Sequence, residues 1–291
     1  MRLAGKAALV TGANKHIGGT IAAFLAREGA RVACNDISTP VAEATAWHIR
    51  SRGGEAIALP GDVSDAAQVD LMVGRAVEVF DGVDILVNNA GGLQYRGGVL
   101  EAALEEWNRQ LAVFLTGTML MTQAVARALV ARGRPGSIIN ILSTAAHQGQ
   151  PDNLGYCTVK GGLLNFTRAA AMDLAHHNIR VNAITPTAME FNPTRPLPSA
   201  TPAAERTRTT VNRDDFIRGI PMGRLPRTPD IANAAVFLAS DEAAMITGAD
   251  LRVDGGALAR YWPWTPGAAD NLTWEEYARS TVQHLEWGEE T

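Results

Sequence analysis

Lys6-Ala7-Ala8-Leu9-Val10-Thr11-Gly12-Ala13-Asn14-Lys15-His16-Ile17-Gly18-Gly19-Thr20-Ile21-Ala22-Ala23-Phe24-Leu25-Ala26-Arg27-Glu28-Gly29-Ala30 is the stretch whose reading decides the fold. Lys6 to Val10 reads as an apolar strand, Thr11 to Gly19 as a glycine-bearing turn, and Thr20 to Ala30 as an amphipathic helix stopped by Gly29. That order is the first half of a βαβ unit. Such a turn points backbone N–H groups and a helix N-terminus at a bound phosphate. The next strand, Arg31 to Asn35, runs into Asp36, eighteen residues beyond Gly18. This is close to the spacing at which a carboxylate accepts hydrogen bonds from an adenosine ribose.

The alternation continues outward from this unit. Strands are expected at about 7–11, 31–35, 56–59, 84–87, 137–142, 179–184 and 250–253, with helical segments between them. A repeating βα pattern calls for an α/β fold, a doubly wound parallel sheet (Rossmann fold) of about seven strands with helices on both faces. Right-handed crossovers then gather the turns that follow the strands along one crevice at the carboxyl edge of the sheet. The expected organisation is one dinucleotide-binding and catalytic domain over 1–260, with a substrate lid at about 187–219, followed by a tail over 261–291.

Composition narrows the class. The chain has 291 residues, 46% of them apolar, enough to fill one large core. Its net charge is −4 with both signs interspersed, so nothing resembles a nucleic-acid footprint. The two cysteines, Cys34 and Cys157, lack metal-ligand spacing and read as small core residues of a reducing compartment. No metal site is expected. With no signal-peptide pattern and no apolar stretch judged long enough to span a bilayer, the expectation is a cytoplasmic protein without a membrane partner.

Chemistry is carried by Tyr156-Cys157-Thr158-Val159-Lys160 together with Ser143, thirteen residues upstream of Tyr156 at the end of an apolar strand. Tyr156 and Lys160 are four apart and share a helix face, so the ammonium can lie near the phenol. A phenol of ordinary pKa about 10 is a poor base at neutral pH, and a neighbouring cation is expected to lower it towards the working range. Ser143 offers a hydroxyl to a substrate oxygen.

These residues resemble the short-chain dehydrogenase/reductase family over about residues 1–260. Thr11-Gly12 with Gly18 looks like its glycine-rich cofactor turn, and Asn88-Asn89-Ala90-Gly91 matches its Asn-Asn-Ala-Gly signature. Ser143, Tyr156 and Lys160 fall on its catalytic serine, tyrosine and lysine, and Ile179 to Pro186 looks like the strand that reaches the nicotinamide. Ile246-Thr247-Gly248 through Val253-Asp254-Gly255-Gly256 resembles its C-terminal signature. The resemblance implies an NAD(P)-dependent oxidoreductase interconverting a secondary alcohol and a ketone, assembled as a homotetramer or homodimer. It also implies cofactor contacts from Gly12, Asn14, Lys15, His16, Ile17, Gly18, Asp36, Asp62, Val63, Asn89, Ala90, Gly91, Tyr156, Lys160 and Pro186, with Asp62 and Val63 at the adenine. Tyr156 is then the general acid/base, Ser143 polarises the substrate oxygen, and Lys160 holds the nicotinamide ribose and lowers the tyrosine pKa.

Three departures stand out. His16 replaces the usual central glycine of the cofactor turn, which is tolerable only where positive φ is not required. Phe114 stands in the register where the family usually places an asparagine that holds a relay water. Thr187 follows Pro186 where glycine is common, and Phe191 lies near a frequent cofactor-contacting threonine. His16 and Phe114 keep open a lyase, dehalogenase or isomerase on the same fold; a dinucleotide-binding regulatory protein is the remaining alternative. Asp36 suits a free ribose diol and repels a 2′-phosphate, whereas Lys15 sits where phosphate-preferring relatives carry a base. NAD is favoured on this balance, with NADP possible.

Substrate identity is expected in the segment from Thr187 to Gly219, whose arginines Arg206, Arg208, Arg213 and Arg218 are interspersed with Glu205, Asp214 and Asp215. His147, Gln148, Asn153, Gln94 and Tyr95 are candidate pocket linings. The last 31 residues hold four of the six tryptophans and two of the four tyrosines, with six acids against one arginine. Aromatics so concentrated seek a surface, so this tail is expected to dock on its own domain or on a neighbouring subunit.

Overall fold

The computed structural model describes residues 1–92, 97–189 and 217–260. Gln94 and Tyr95, most of the expected lid including Phe191 and all its arginines but Arg218, and the aromatic tail lie outside the described residues. Seven strands form one sheet in the order β3-β2-β1-β4-β5-β6-β7. They are β1 (Ala7–Val10), β2 (Arg31–Asp36), β3 (Ala56–Pro60), β4 (Ile85–Asn88), β5 (Gly136–Ile141), β6 (Ile179–Pro186) and β7 (Asp250–Val253). Every pairing is parallel. The expected strands are all present, with ends moved by one or two residues.

The helices are α1 (Ile17–Arg27), α2 (Thr39–Arg50), α3 (Ala66–Phe80), α4 (Leu104–Gln110), α5 (Gly117–Ala131), α6 (Leu154–Leu174) and α7 (Thr228–Ala239). Side chains alternate across a strand, so each strand feeds both faces of the sheet. Ala8, Val10, Val32 and Cys34 pack with Ile21 and Leu25 of α1, Ile49 of α2 and Val236 of α7. Ala7, Leu9, Leu86 and Ile138 pack with Val73 of α3, Val125 of α5 and Ala171 of α6. Burial on both faces is why the strands read as continuous apolar runs. Cys34 belongs to the first core, and burial pushes its thiol up to about 12, which removes it from redox chemistry.

A six-residue π-helical segment, Leu111–Thr116, joins α4 to α5. The whole run Leu104–Ala131 covers 28 residues and is long and apolar enough to cross a bilayer by length and composition. This corrects the expectation that no such stretch exists. Its apolar residues Met121, Val125 and Leu129 are spent in the core against α3 and the sheet.

The chain runs from β1 through β2 to β3 on one side, then returns to place β4 on the other side of β1. The crevice at the carboxyl ends of β1 and β4 is therefore the topological switch point, where ligands of such sheets bind. Here the backbone is packed too closely for side chains. A Cβ on Gly18 would lie inside 3.0 Å of Gly12 O and of Asn89 Nδ2. Gly18→Ala is therefore expected to cost about 1–3 kcal/mol through overpacking, read as a fall of several degrees in Tm in thermal unfolding; an unchanged Tm would mean the turn relaxes freely.

Candidate active site

The turn after β1 is held to the loop after β4 by one hydroxyl. Thr11 is 1% exposed. Its Oγ1 donates to Val87 O at 3.3 Å and accepts from the N–H groups of Asn89 and Ala90, each at 3.0 Å. One donor and two lone pairs are thus all used. Asn89 returns the tie, its Nδ2 donating to Thr11 O and Gly12 O at 3.0 and 2.9 Å. Gly12 has φ +60, and a Cβ there would sit 2.8 Å from Ala90 Cα, so only glycine fits without strain.

His16 is the first departure the structure resolves. Its φ is −123, outside the region reserved for glycine, so the turn closes without a glycine at this position. The neighbouring N-terminus of α1 has no side-chain cap and no acid in its first turn. Its first amides and macrodipole face the cavity at Ile17 and Gly18, an arrangement that fits a phosphate. His16 does not seal that cavity, which continues along Asn14, Asn89, Gly91 and Gly92 to Ser143, Tyr156, Lys160 and Pro186. The ground for an isomerase or lyase reading through a blocked turn falls away.

A second clasp fixes the helix that carries Tyr156 and Lys160. Asn88 Nδ2 donates to Asn140 Oδ1 at 2.9 Å and to Thr122 Oγ1 at 3.1 Å, and Asn140 Nδ2 donates to Thr167 Oγ1 at 2.9 Å. All four residues are buried. The ladder runs from β4 through β5 to α6, the helix that carries Tyr156 and Lys160. Asn140 and Thr167 escaped the sequence reading, and the available signal was an asparagine inside the apolar run Ile138-Ile139-Asn140-Ile141. A buried amide needs partners, so a polar residue in an all-apolar strand announces a network.

Ser143 leaves β5 with its Oγ accepting from Ala145 N at 3.2 Å and hydrogen-bonded to the Tyr156 hydroxyl. Lys160, four residues on and 6% exposed, donates from Nζ to Ile141 O at 2.7 Å. The same ammonium lies 4.9 Å from the Phe114 ring centroid and 5.6 Å from that of Tyr156. The Phe114 and Tyr156 rings meet edge to face at 5.6 Å and 80°.

The electrostatics correct one expectation. Lys160 was expected to lower the Tyr156 pKa, yet burial pushes the phenol up, opposed by the hydrogen bond from Ser143. Burial also pushes Lys160 down, to about 7. Desolvation penalises phenolate and ammonium alike, and in the protein alone both groups are driven towards neutrality. Both shifts arise chiefly from burial, so each group responds to what enters the cavity.

The remaining expected residues stand apart from this cavity. Asp36 ends β2, its Oδ1 accepting from Ser38 N at 3.0 Å. Lys15 is exposed and borders a groove between α1 and α2 with Thr20, Phe24 and Trp47. Asp62 spends Oδ1 on the backbone and hydroxyl of Ser64, at 2.8 and 2.7 Å, and Val63 is buried against Gly117. Of the pocket linings, His147 turns to β7, with Nε2 2.9 Å from Asp250 Oδ2, while Gln148 is exposed and Asn153 bonds Gln150 Oε1 at 2.9 Å.

Comparison with known proteins agrees with the fold. The family described as Enoyl-(Acyl carrier protein) reductase matches residues 12–257. The chain is 38% identical to a sorbitol dehydrogenase of Cereibacter sphaeroides over 256 residues, 88% of this chain and 98% of that protein. A gluconate 5-dehydrogenase of Burkholderia cenocepacia J2315, solved with NADP and tartrate, superposes with a TM-score of 0.79 at 33% identity, covering 89% of this chain and 98% of the other. A short-chain type dehydrogenase/reductase of Mycobacterium marinum gives 0.77 at 32%, covering 89% and 97%.

The buried ammonium makes a pH-dependent signature. Below about 7 the folded protein holds Lys160 charged and carries the full burial cost; between about 7 and the ordinary lysine value of 10.5 only the unfolded chain binds the proton, so the cost shrinks as pH rises. Lys160→Met is therefore expected to raise Tm most at pH 6 and progressively less towards pH 10, as measured by calorimetry across that range. A gain independent of pH would contradict the assignment.

Proposed function

The chain belongs to the short-chain dehydrogenase/reductase family and is an NAD(P)-dependent dehydrogenase acting on alcohols, and from that premise we propose that it interconverts a secondary alcohol and a ketone with Ser143, Tyr156 and Lys160 as its catalytic residues. The observation that carries this reading is the convergence of these three side chains at one end of a cavity whose other end is the uncapped N-terminus of α1. Bound along that cavity, the nicotinamide cofactor supplies or accepts the hydride.

The protein's own groups handle the proton. In alcohol oxidation the Tyr156 oxygen takes the hydroxyl proton, and in ketone reduction it returns one to the carbonyl oxygen. Ser143, already hydrogen-bonded to Tyr156, holds the substrate oxygen beside the phenol and stabilises the charge developing there. Lys160 spends one of its three donors on Ile141 O, and the donor on its cavity side is left for a hydroxyl of a nicotinamide ribose. Those acceptors favour the charged ammonium, which in turn favours phenolate and offsets the burial that raises the tyrosine.

NAD is the proposed cofactor. The gluconate 5-dehydrogenase holds NADP, so the choice for this chain rests on its own Asp36, whose carboxylate is fixed by Ser38 at the carboxyl end of β2. A carboxylate there accepts from a ribose diol and repels a 2′-phosphate. Lys15, on the α1–α2 side of the turn, is the lesser influence. The names of the relatives support small polyhydroxylated alcohols as the substrate class. A groove of about 510 Å³ between α5 and α6, lined by Met119, Val130, Phe166 and Leu174, supports assembly as a homo-oligomer.

Fluorescence titration with NADH and NADPH, followed by absorbance assays of NAD with a panel of polyols, tests the reading. Tyr156→Phe is expected to lower turnover by about 10²–10⁴-fold while NADH affinity stays within error of wild type; wild-type turnover in that variant would remove the phenol from the chemistry. Asp36→Ala is expected to shift the NADPH to NADH affinity ratio towards NADPH by on the order of tenfold or more. An unmoved ratio would transfer the cofactor choice to other residues.

A further inference from the structure

Phe114 is 3% exposed and is the buried residue of the π-helical segment Leu111–Thr116. In a π turn the N–H reaches back five residues, here Gly117 N to Ala112 O, which widens the helix and alters the direction of its side chains. The Phe114 ring presses on the loop after β4: a Cβ on Gly91 would fall inside 3.0 Å of its Cε1 and Cζ. Gly91 has φ +155 and no side chain, so the ring takes up the space beneath it. On its other side the ring meets Tyr156 edge-on and lies 4.9 Å from the Lys160 ammonium.

The donors of Lys160 can now be counted. One points at Ile141 O, a second direction is covered by the electron-rich face of Phe114, and the cavity side is left for ligand. Phe114 contributes a weak electrostatic partner for the ammonium and at the same time keeps water off its inner side. Among the described residues, the other titratable group lining the cavity is His16, across from the pair on the turn after β1. From β5 and β6 the ammonium and phenol face Ile141, Leu142, Ser143 and Pro186, none of which titrates near neutrality.

Building on the catalytic roles given to Tyr156 and Lys160, we propose that Phe114 is a positioning residue that sets the charge balance of the pair, stabilising the ammonium through its ring while excluding the water that would stabilise it more. Its ring carries no group that exchanges a proton, so it acts through the Lys160 and Tyr156 side chains that it packs against.

Two substitutions separate the two effects. Phe114→Met fills similar apolar volume without the ring's quadrupole, and Phe114→Asn admits water to the inner face of the ammonium. The readout is the acid limb of the pH profile of kcat for alcohol oxidation at saturating NAD, with KM for the alcohol followed in parallel. Loss of ring stabilisation disfavours ammonium, hence phenolate, so the limb in Phe114→Met moves to higher pH by roughly half a unit, with KM little changed. Hydration favours ammonium, so the limb in Phe114→Asn lies below that of wild type. The expected order is Asn, wild type, Met, in rising pH.

A filler role would lower kcat or Tm in both variants without ordering the limb, and coincident limbs or the reverse order would overturn the proposal. If Phe114→Asn does not fold, the direction of the Met shift alone decides between the outcomes. Tyr156→Phe is assayed beside them. Should it retain turnover, the acid/base reading itself fails; should it be inactive while the Phe114 limbs coincide, only the role of Phe114 fails.

Discussion

Lys160 donates from Nζ to Ile141 O at 2.7 Å in a largely buried place, and much of the surrounding structure is the consequence of keeping it there. A buried cation costs free energy unless it is paired. The fold supplies one carbonyl, the rings of Phe114 and Tyr156 and an unfinished cavity, which leaves the ammonium short of strong acceptors in the protein alone. That deficit is functional in sign: a group driven towards neutrality by burial responds strongly to whatever acceptors enter the cavity. The parallel sheet contributes by ending β5 at the right height, and the Asn88–Asn140–Thr167 ladder contributes by fixing α6 against it.

The fold was legible because parallel strands buried on both faces are written as apolar runs, and the turns between them as glycines and helix stops. Ala7 to Val10 and Ile179 to Pro186 read without ambiguity for this reason. The helix from Leu104 to Ala131 was harder to judge. Its apolarity is high enough to satisfy a membrane criterion, and only the packing of Met121, Val125 and Leu129 against α3 shows where that apolarity is spent. The π segment inside it was invisible, since a window tuned to 3.6 residues per turn cannot register one local turn with a five-residue repeat.

At the site, spacing placed Tyr156 and Lys160 side by side because helical geometry is local, and the structure brings Ser143 to them from the end of β5. The direction in which their pKa values move was not local. It depends on desolvation by residues far away in sequence, and the sequence argument weighed one neighbouring charge and no burial, whereas burial raises the phenol in the protein alone. Asp36 lies at the end of β2, beside β3, as the spacing from the turn placed it, while Lys15 borders the groove outside α1.

Phe114 and Gly91 illustrate how one departure from a family pattern constrains another position. The ring occupies the volume that a Cβ at position 91 would need, so a side chain there would have to displace the ring. A smaller residue at 114 would open a void between the loop after β4 and α6. That void would lie against the side of Lys160 that the Phe114 ring now covers. The two positions, one from the loop that carries the Asn89 clasp and one from the π turn, together form the dry floor of the cavity. Changes there act on the chemistry through the charge of a lysine they do not bond.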